Sequence, residues 1–422
     1  METSTTSNSI ISDGRYATVK QGSWFNQFLS GSNPWMARYV YSFMFLLATL
    51  LAWIVRDYGP KTLSHFKSNS FAPFYISCVK TVYVEWHAID CLNGYDGAGP
   101  NDCYDGEKYC LGRVGVLRVS MGCFMFYFLM FVSTLGTTKL MDRRETWHSR
   151  WWFAKIPMMI ALTLLPFFLP SDLIEVYGHL SHFGAGVFLL VQLVSIISFI
   201  TWLNDFCHSD EYADSWRLHA MILGATAYVV CILGIILMYI IEGAGTRNIA
   251  FILTTAVLVH LMTIVSIRPE VNAGFLTSSL MGLYVLFLCW SAIRSEKAYD
   301  DSEVKVITII SFGVAVMAIV IATFSTGIDS KSFQLRNEQE EEDDVPYGYG
   351  FFHFVFATGA MYFAMLLVGW NAKNPTTKLT IDIGWTSTWV RIVNEWVAAG
   401  VYLWRIVAPI IWKGARANES QV

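Results

Sequence analysis

Charge is scarce in this sequence. Only 15% of its 422 residues are Asp, Glu, Lys or Arg, whereas 54% are hydrophobic and the mean hydropathy is +0.44. The formal net charge is −4, so no basic excess is available to neutralise phosphates, which argues against a nucleic-acid partner. Catalytic signatures are missing too. There is no G-x-S-x-G, no phosphate-cradling P-loop and no H-E-x-x-H, and so no pointer to an enzyme, a cofactor or a catalytic metal. No C-a-a-X box closes the chain, and Glu2 excludes an N-terminal glycine for myristoylation. The polar N-terminal segment, 1–34, lacks the short apolar core and small-residue cleavage site of a secretory signal, so the first apolar run is expected to serve as its own insertion signal.

What the sequence has in abundance is long apolar runs. A membrane-spanning helix needs ~20 mostly apolar residues. Ten candidate cores are present, at 39–55, 114–136, 152–169, 180–203, 219–241, 249–267, 274–293, 304–323, 351–370 and 394–412. A water-soluble fold has no use for ten such runs. Many of the 16 Trp, 20 Tyr and 29 Phe sit near run ends, where aromatic belts form. The expected architecture is an all-α polytopic membrane protein of about ten transmembrane helices. One integral-membrane domain covers 35–412, and a tail follows at 413–422. Residues 71–90 are aromatic-rich, but Lys80, Glu85, His87 and Asp90 interrupt them, each costing ~2.5–3.5 kcal/mol at mid-bilayer. That stretch is expected outside the hydrocarbon core.

Two arguments orient the chain. Lys139, Arg143, Arg144 and Arg150 form the densest short basic cluster, which belongs in the cytosol. The loop on the other side of the second run, 57–112, holds Cys78, Cys91, Cys103 and Cys110, four of the eight cysteines. That density suits an oxidising compartment and two disulfides, with three pairings open; free thiols or a zinc site are the alternatives, although no histidine stands at finger-like spacing. Both termini are then cytosolic, the tail carrying Lys413 and Arg416. Arg56, Lys61, Lys67, Lys80, Lys108 and Arg113 run against this assignment, but long loops count less in the rule. The loop 324–350 carries Glu338, Glu340, Glu341, Glu342, Asp343 and Asp344. It reads as a solvated cytosolic segment, with a docking site for trafficking adaptors as the alternative. Asp96, Asn101, Asp102 and Asp105 stand among Gly94, Gly97 and Gly99 and read as turns rather than a calcium site.

Polar residues inside the runs are the candidate functional groups, because ionisable side chains at that depth face a bundle interior or a wet cavity. His260 lies in the sixth run, and Glu395 and Arg405 in the tenth. Arg391 precedes Glu395 by four residues, a spacing that puts both on one helical face. Arg113 and Arg118 stand at the outer end of the second run, where they could hold headgroups. Gln192, Ser195, Ser198 and Thr201 recur every third residue of the fourth run, a row that winds slowly around a helix of 3.6 residues per turn. Such a row suits a lipid headgroup crossing the hydrocarbon while its tails stay in lipid. The plainer alternative for all of these residues is glue between helices. From His179 to Asn204 the same run carries no acid, Lys or Arg over 26 residues, or ~39 Å of helix against a ~30 Å core, so it either tilts or bends, or holds its first turn among the headgroups. Pro157, Pro166 and Pro170 are expected to kink the third run.

Several stretches, in order, resemble the serine incorporator (SERINC) family of eukaryotic multi-pass membrane proteins. Asn33-Pro34, Ala37-Arg38 and Tyr41 lead into Leu51-Ala52-Trp53-Ile54-Val55-Arg56-Asp57-Tyr58-Gly59. Arg113-Val114-Gly115-Val116-Leu117-Arg118-Val119-Ser120 and Trp147-His148-Ser149-Arg150-Trp151-Trp152 follow. Then come Ile197-Ser198-Phe199-Ile200-Thr201-Trp202-Leu203-Asn204-Asp205, Phe351-Phe352-His353-Phe354-Val355-Phe356, Trp389-Val390-Arg391, Trp396, Tyr402-Leu403-Trp404 and Ala408-Pro409. The resemblance implies ten transmembrane helices in two bundles divided by a long tilted helix. It implies work on lipids: passive phospholipid scrambling between leaflets, support of phosphatidylserine and sphingolipid synthesis, or both. Some animal members restrict retroviral particles. Animal members often carry a cysteine pair in the acidic cytosolic loop; Asn337 to Tyr349 has none, so the chain looks closer to a plant-like branch. The expected partners are membrane phospholipids, with serine and lipid-synthesis enzymes as further candidates, in the endomembrane system or plasma membrane. A serine carrier or adaptor is the alternative, weakened by the lack of a visible inverted repeat; a structural scaffold is another.

Overall fold

The computed structural model describes residues 34–65, 100–207, 213–242, 245–271, 273–296, 306–329, 345–370 and 384–419. Regular structure among them is helical: α1 Pro34–His65, α2 Pro100–Thr134, α3 Arg143–Ser149, α4 Trp152–Leu164, a 3-10 turn Leu165–Phe168, α5 Ser171–Cys207, α6 Ala213–Glu242, α7 Thr246–Ile267, α8 Phe275–Glu296, α9 Val306–Ile328, α10 Tyr349–Val368 and α11 Trp385–Glu419. Every one of the ten apolar runs is helical. Among the described residues seven helices are long and apolar enough to cross a bilayer, and the α3–α4 pair, bent by 68°, makes an eighth. Large apolar side chains such as Phe153, Phe183 and Ile240 point outward, as lipid-facing surfaces require.

Two cores divide the molecule. The first is built by α1, α2, α4, α9 and α10 around Tyr41, Phe45, Phe126, Tyr127, Phe352 and Phe363. Its axis is α10, buried along nearly its whole length. The second is built by α6, α7, α8 and α11 around Cys231, Val259, Met281, Val285, Ala398 and Tyr402. Helix α5 belongs to both: Ile174, Tyr177 and Ala185 of its first half enter the first core, and Leu193, Ile197 and Ile200 of its second half enter the second. At 37 residues it is ~56 Å long, nearly twice the ~30 Å hydrocarbon thickness, so it must cross obliquely.

The element boundaries correct several expectations. α5 begins at Ser171, nine residues before its apolar core, and takes in Asp172 and Glu175; Pro170 ends the preceding segment, and the acid in the first turn complements the helix dipole. Pro157 lies inside α4, and the break falls further on, in the 3-10 turn that contains Pro166. The loop 57–112 is helical at both flanks, because α1 reaches His65 and α2 starts at Pro100. Cys103 and Cys110 therefore lie on α2. Cys78, Cys91, the stretch 71–90 and the acids 338–344 lie outside the described residues. α11 continues through Lys413 and Arg416 to Glu419.

Candidate headgroup site at the bundle junction

Where α5 passes from one bundle to the other, its row of polar residues meets two charges of opposite sign. The Ser195 hydroxyl donates to Asp329 Oδ2 at 2.8 Å. One turn further along, Arg405 Nη1 donates to Ser198 Oγ at 3.2 Å. Asp329 directly follows α9 of the first bundle, and Arg405 projects from α11 of the second. Gln192 is half-buried one turn before Ser195. Thr201, one turn beyond Ser198, bonds back to the Ile197 carbonyl at 2.9 Å and so takes no charged partner. In the winding row, Ser195 and Ser198 therefore have charged partners, flanked by a half-buried amide and a self-satisfied threonine.

Other expected site residues lie elsewhere. Arg118 is buried, not open to headgroups: its Nη1 donates to the Pro166 carbonyl and, at 2.9 Å, to the Leu169 carbonyl, both at the break between α4 and α5. Arg56 behaves likewise, pairing with Asp57 at 2.6 Å and donating to the Leu367 carbonyl at 3.1 Å. Such carbonyls at helix ends have no water to turn to inside a membrane protein, which is why buried guanidiniums collect there. Arg113, one and a half turns before Arg118, is half-buried. His260 is exposed on α7 rather than inside a bundle, its Nδ1 donating to the Ala256 carbonyl at 2.7 Å. Glu395 is fully buried in the second bundle, but its partner is the Thr255 hydroxyl of α7 at 2.8 Å rather than Arg391. It acts as a helix-to-helix contact, apart from the junction.

A second polar cluster escaped the sequence reading. Between α2 and α4, fully buried His148 of α3 has Nδ1 at 3.0 Å from Nε2 of His353 and Nε2 at 2.9 Å from the Tyr347 hydroxyl, and its ring stacks on Tyr349 at 3.8 Å. Its carbonyl accepts from Tyr41 at 3.0 Å and from Lys155 Nζ at 2.8 Å. The Lys155 ammonium also lies 4.1 Å from the Trp152 ring centroid, a cation–π contact. The cluster ties α3 to the segment entering α10, where the Val345 amide donates to the Thr138 carbonyl at 2.9 Å. The signal in the sequence was Trp147-His148-Ser149 and Phe352-His353, but the pairing spans 205 residues.

Comparison with known proteins places this arrangement. The serine incorporator (Serinc) family pattern matches residues 18–337 and 325–415. Serine incorporator 3 of Mus musculus is 23% identical over 90% of this chain and 92% of its own length. Probable serine incorporators of Nematostella vectensis and Dictyostelium discoideum are 24% and 27% identical, over 74% and 65% of this chain and 83% and 74% of theirs. With a family match running through both bundles and the helix that divides them, the chain is a member of the serine incorporator family of multi-pass membrane proteins.

Proposed function

We propose that this protein lets phospholipid headgroups cross the bilayer passively, along the polar side of α5 where the two bundles meet. The observation that carries the reading is the pair of contacts at that junction, Ser195 with Asp329 and Ser198 with Arg405. A phospholipid flips slowly because its headgroup must leave water, and a polar group without a partner in hydrocarbon costs several kcal/mol. Each 1.4 kcal/mol removed by a hydrogen-bonding side chain is about tenfold in rate. No nucleophile and no nucleotide is needed, and the relatives named above carry the name serine incorporator rather than an enzyme's name. We place the protein in the endomembrane system or plasma membrane with both termini cytosolic.

The test is transfer of fluorescent-tailed phospholipid in proteoliposomes without nucleotide, read by quenching from outside. Label in the inner leaflet becomes accessible several-fold faster than in empty vesicles. Equal rates across several lipid compositions overturn the proposal. The relatives' printed names favour a second reading, delivery of serine to lipid synthesis, which predicts saturable serine uptake into the same vesicles. Glu395→Leu serves as the structural control: it lowers stability through loss of the Thr255 bond but leaves transfer per folded molecule unchanged.

A further inference from the structure

We infer that the exposed basic face formed by Lys139, Arg143, Arg144 and Arg150 is a docking surface for the chain's own acidic run, Glu338 to Asp344. This pairing is independent of lipid transfer.

Four observations carry it. First, all four basic side chains are exposed, and they fall on the turn after α2, on α3 and on the residue that caps it. The acids among them are engaged elsewhere: Asp142 Oδ1 accepts from the Arg144 amide at 3.1 Å and Glu145 is buried. Among the described residues neither Arg143 nor Arg150 makes an ion pair. Second, the backbone delivers the acids to this face. Val345 directly follows Asp344 and donates its amide to the Thr138 carbonyl at 2.9 Å, and Thr138 directly precedes Lys139. At the start of α10 a Cβ on Gly350 would lie 3.4 Å from Leu135 Cα, and the Leu135 carbonyl accepts from Arg144 Nη1. Third, the reach suffices. Seven extended residues span at most ~25 Å. Helix α3 is ~10 Å long, so a run leaving Thr138 can pass along the whole basic face without moving a helix. Fourth, sign and number match. The run packs Glu338, Glu340, Glu341, Glu342, Asp343 and Asp344 into seven residues, and such a block repels itself unless cations attend it. Four do so at its end, and Arg38 stands near its beginning, 5.7 Å from the ring centroid of Phe324 in the last turns of α9.

An anionic leaflet would also suit a basic face. The chain's own acids are favoured because the bond between Val345 and Thr138 holds them there whatever the lipid composition. A tether this short sets an effective concentration in the millimolar range.

Carbodiimide cross-linking of the full-length protein tests the pairing, because it joins a carboxylate to an amine only on contact, and Lys139 is the amine of the basic face. Asp343 and Asp344 are kept near Lys139 by the chain alone and report nothing. Links from Lys139 to Glu338, Glu340, Glu341 or Glu342, read by mass spectrometry of the peptides, are expected in detergent at about 0.05 M salt and should fall several-fold at about 0.5 M. The double variant Arg143→Glu with Arg150→Glu keeps Lys139 and should lose the same links at low salt. Both arginines are exposed, and the salt comparison in the unaltered protein needs no variant to fold. Three results would overturn the pairing. The links to the four glutamates are missing at low salt, or they persist unchanged through high salt and charge reversal. Mixing with isotope-labelled protein shows that they join two copies. In vesicles they form in pure phosphatidylcholine but vanish with about 30% phosphatidylserine, which would make the leaflet the occupant.

Discussion

Arg118→Leu is expected to leave little folded protein. The guanidinium is 1% exposed and spans the end of the segment that runs from α4 through the 3-10 turn, donating to the carbonyls of Pro166 and Leu169. Those carbonyls belong to a helix end, where amides are in short supply: Pro166 has only the Leu169 amide, at 3.3 Å, besides the guanidinium. With leucine in place, both carbonyls lose a charged donor and Pro166 keeps only its long bond to the Leu169 amide, at ~1–3 kcal/mol for each bond lost. The variant also escapes the cost of burying a charge, which trims the total to ~3 kcal/mol. Against a total stability of ~5–15 kcal/mol that is a large share. Arg118→Lys keeps the charge but offers a point donor in place of a fork, so it should recover only part of the loss. The measurement is the yield of monodisperse protein in detergent and its thermal midpoint. If Arg118→Leu instead folds as well as the unaltered protein and loses only lipid transfer, Arg118 binds headgroups after all and the structural assignment is wrong.

Arg118 also shows where sequence reasoning stops. An arginine near the end of an apolar run looks like a headgroup ligand, because the sequence shows its depth but not its neighbours. The carbonyls it serves lie 48 and 51 residues away. Glu395 has the same lesson at shorter range: Arg391 stands at helical spacing, yet the carboxylate turns to Thr255, 140 residues off. His260 was placed correctly within its run, but on the wrong face, since one histidine in an apolar helix carries no information about which side it occupies. The polar row of α5 was legible, because its spacing is local. Its partners were not. Ser195 and Asp329 are 134 residues apart, and Asp329 reads in sequence as the start of the polar loop rather than as part of a site. The fold was the clearer half. Ten apolar runs became ten helices because hydrocarbon admits backbone only when each helix satisfies itself. Lengths were understated: α5 begins nine residues early, since its first two acids sit in a turn that the hydropathy pattern discards, and α1, α2 and α11 also run past their apolar cores.

Gly122 should tolerate no side chain at all. A Cβ there would lie 2.5 Å from the Leu162 carbonyl oxygen and 2.5 Å from Thr163 Cα. Both are backbone atoms, so no rotamer change relieves the contact, and α2 and α4 would have to separate. Small residues serve this purpose in membrane bundles, letting two backbones touch. Alanine in place of glycine gains ~1 kcal/mol in helix propensity. Overpacking costs ~1–3 kcal/mol, more where the obstacle is rigid, so the clash wins and Gly122→Ala should destabilise the protein, with Gly122→Val failing to fold. Gly186 supplies the opposite sign. A Cβ on that α5 residue meets nothing within 4 Å, so Gly186→Ala should stabilise by ~0.5–1 kcal/mol. Gly122 stands four residues after Arg118 on α2, on the same face, and both hold the α4 segment: one by contact, one by hydrogen bonds to its end. Neighbours that share a partner segment do not act independently. The double variant Gly122→Ala with Arg118→Lys is therefore expected to lose less than the sum of the single losses, since the first displacement already frees the carbonyls that the second would abandon. Thermal midpoints of the four proteins decide it: strict additivity would mean that the two residues secure α4 separately.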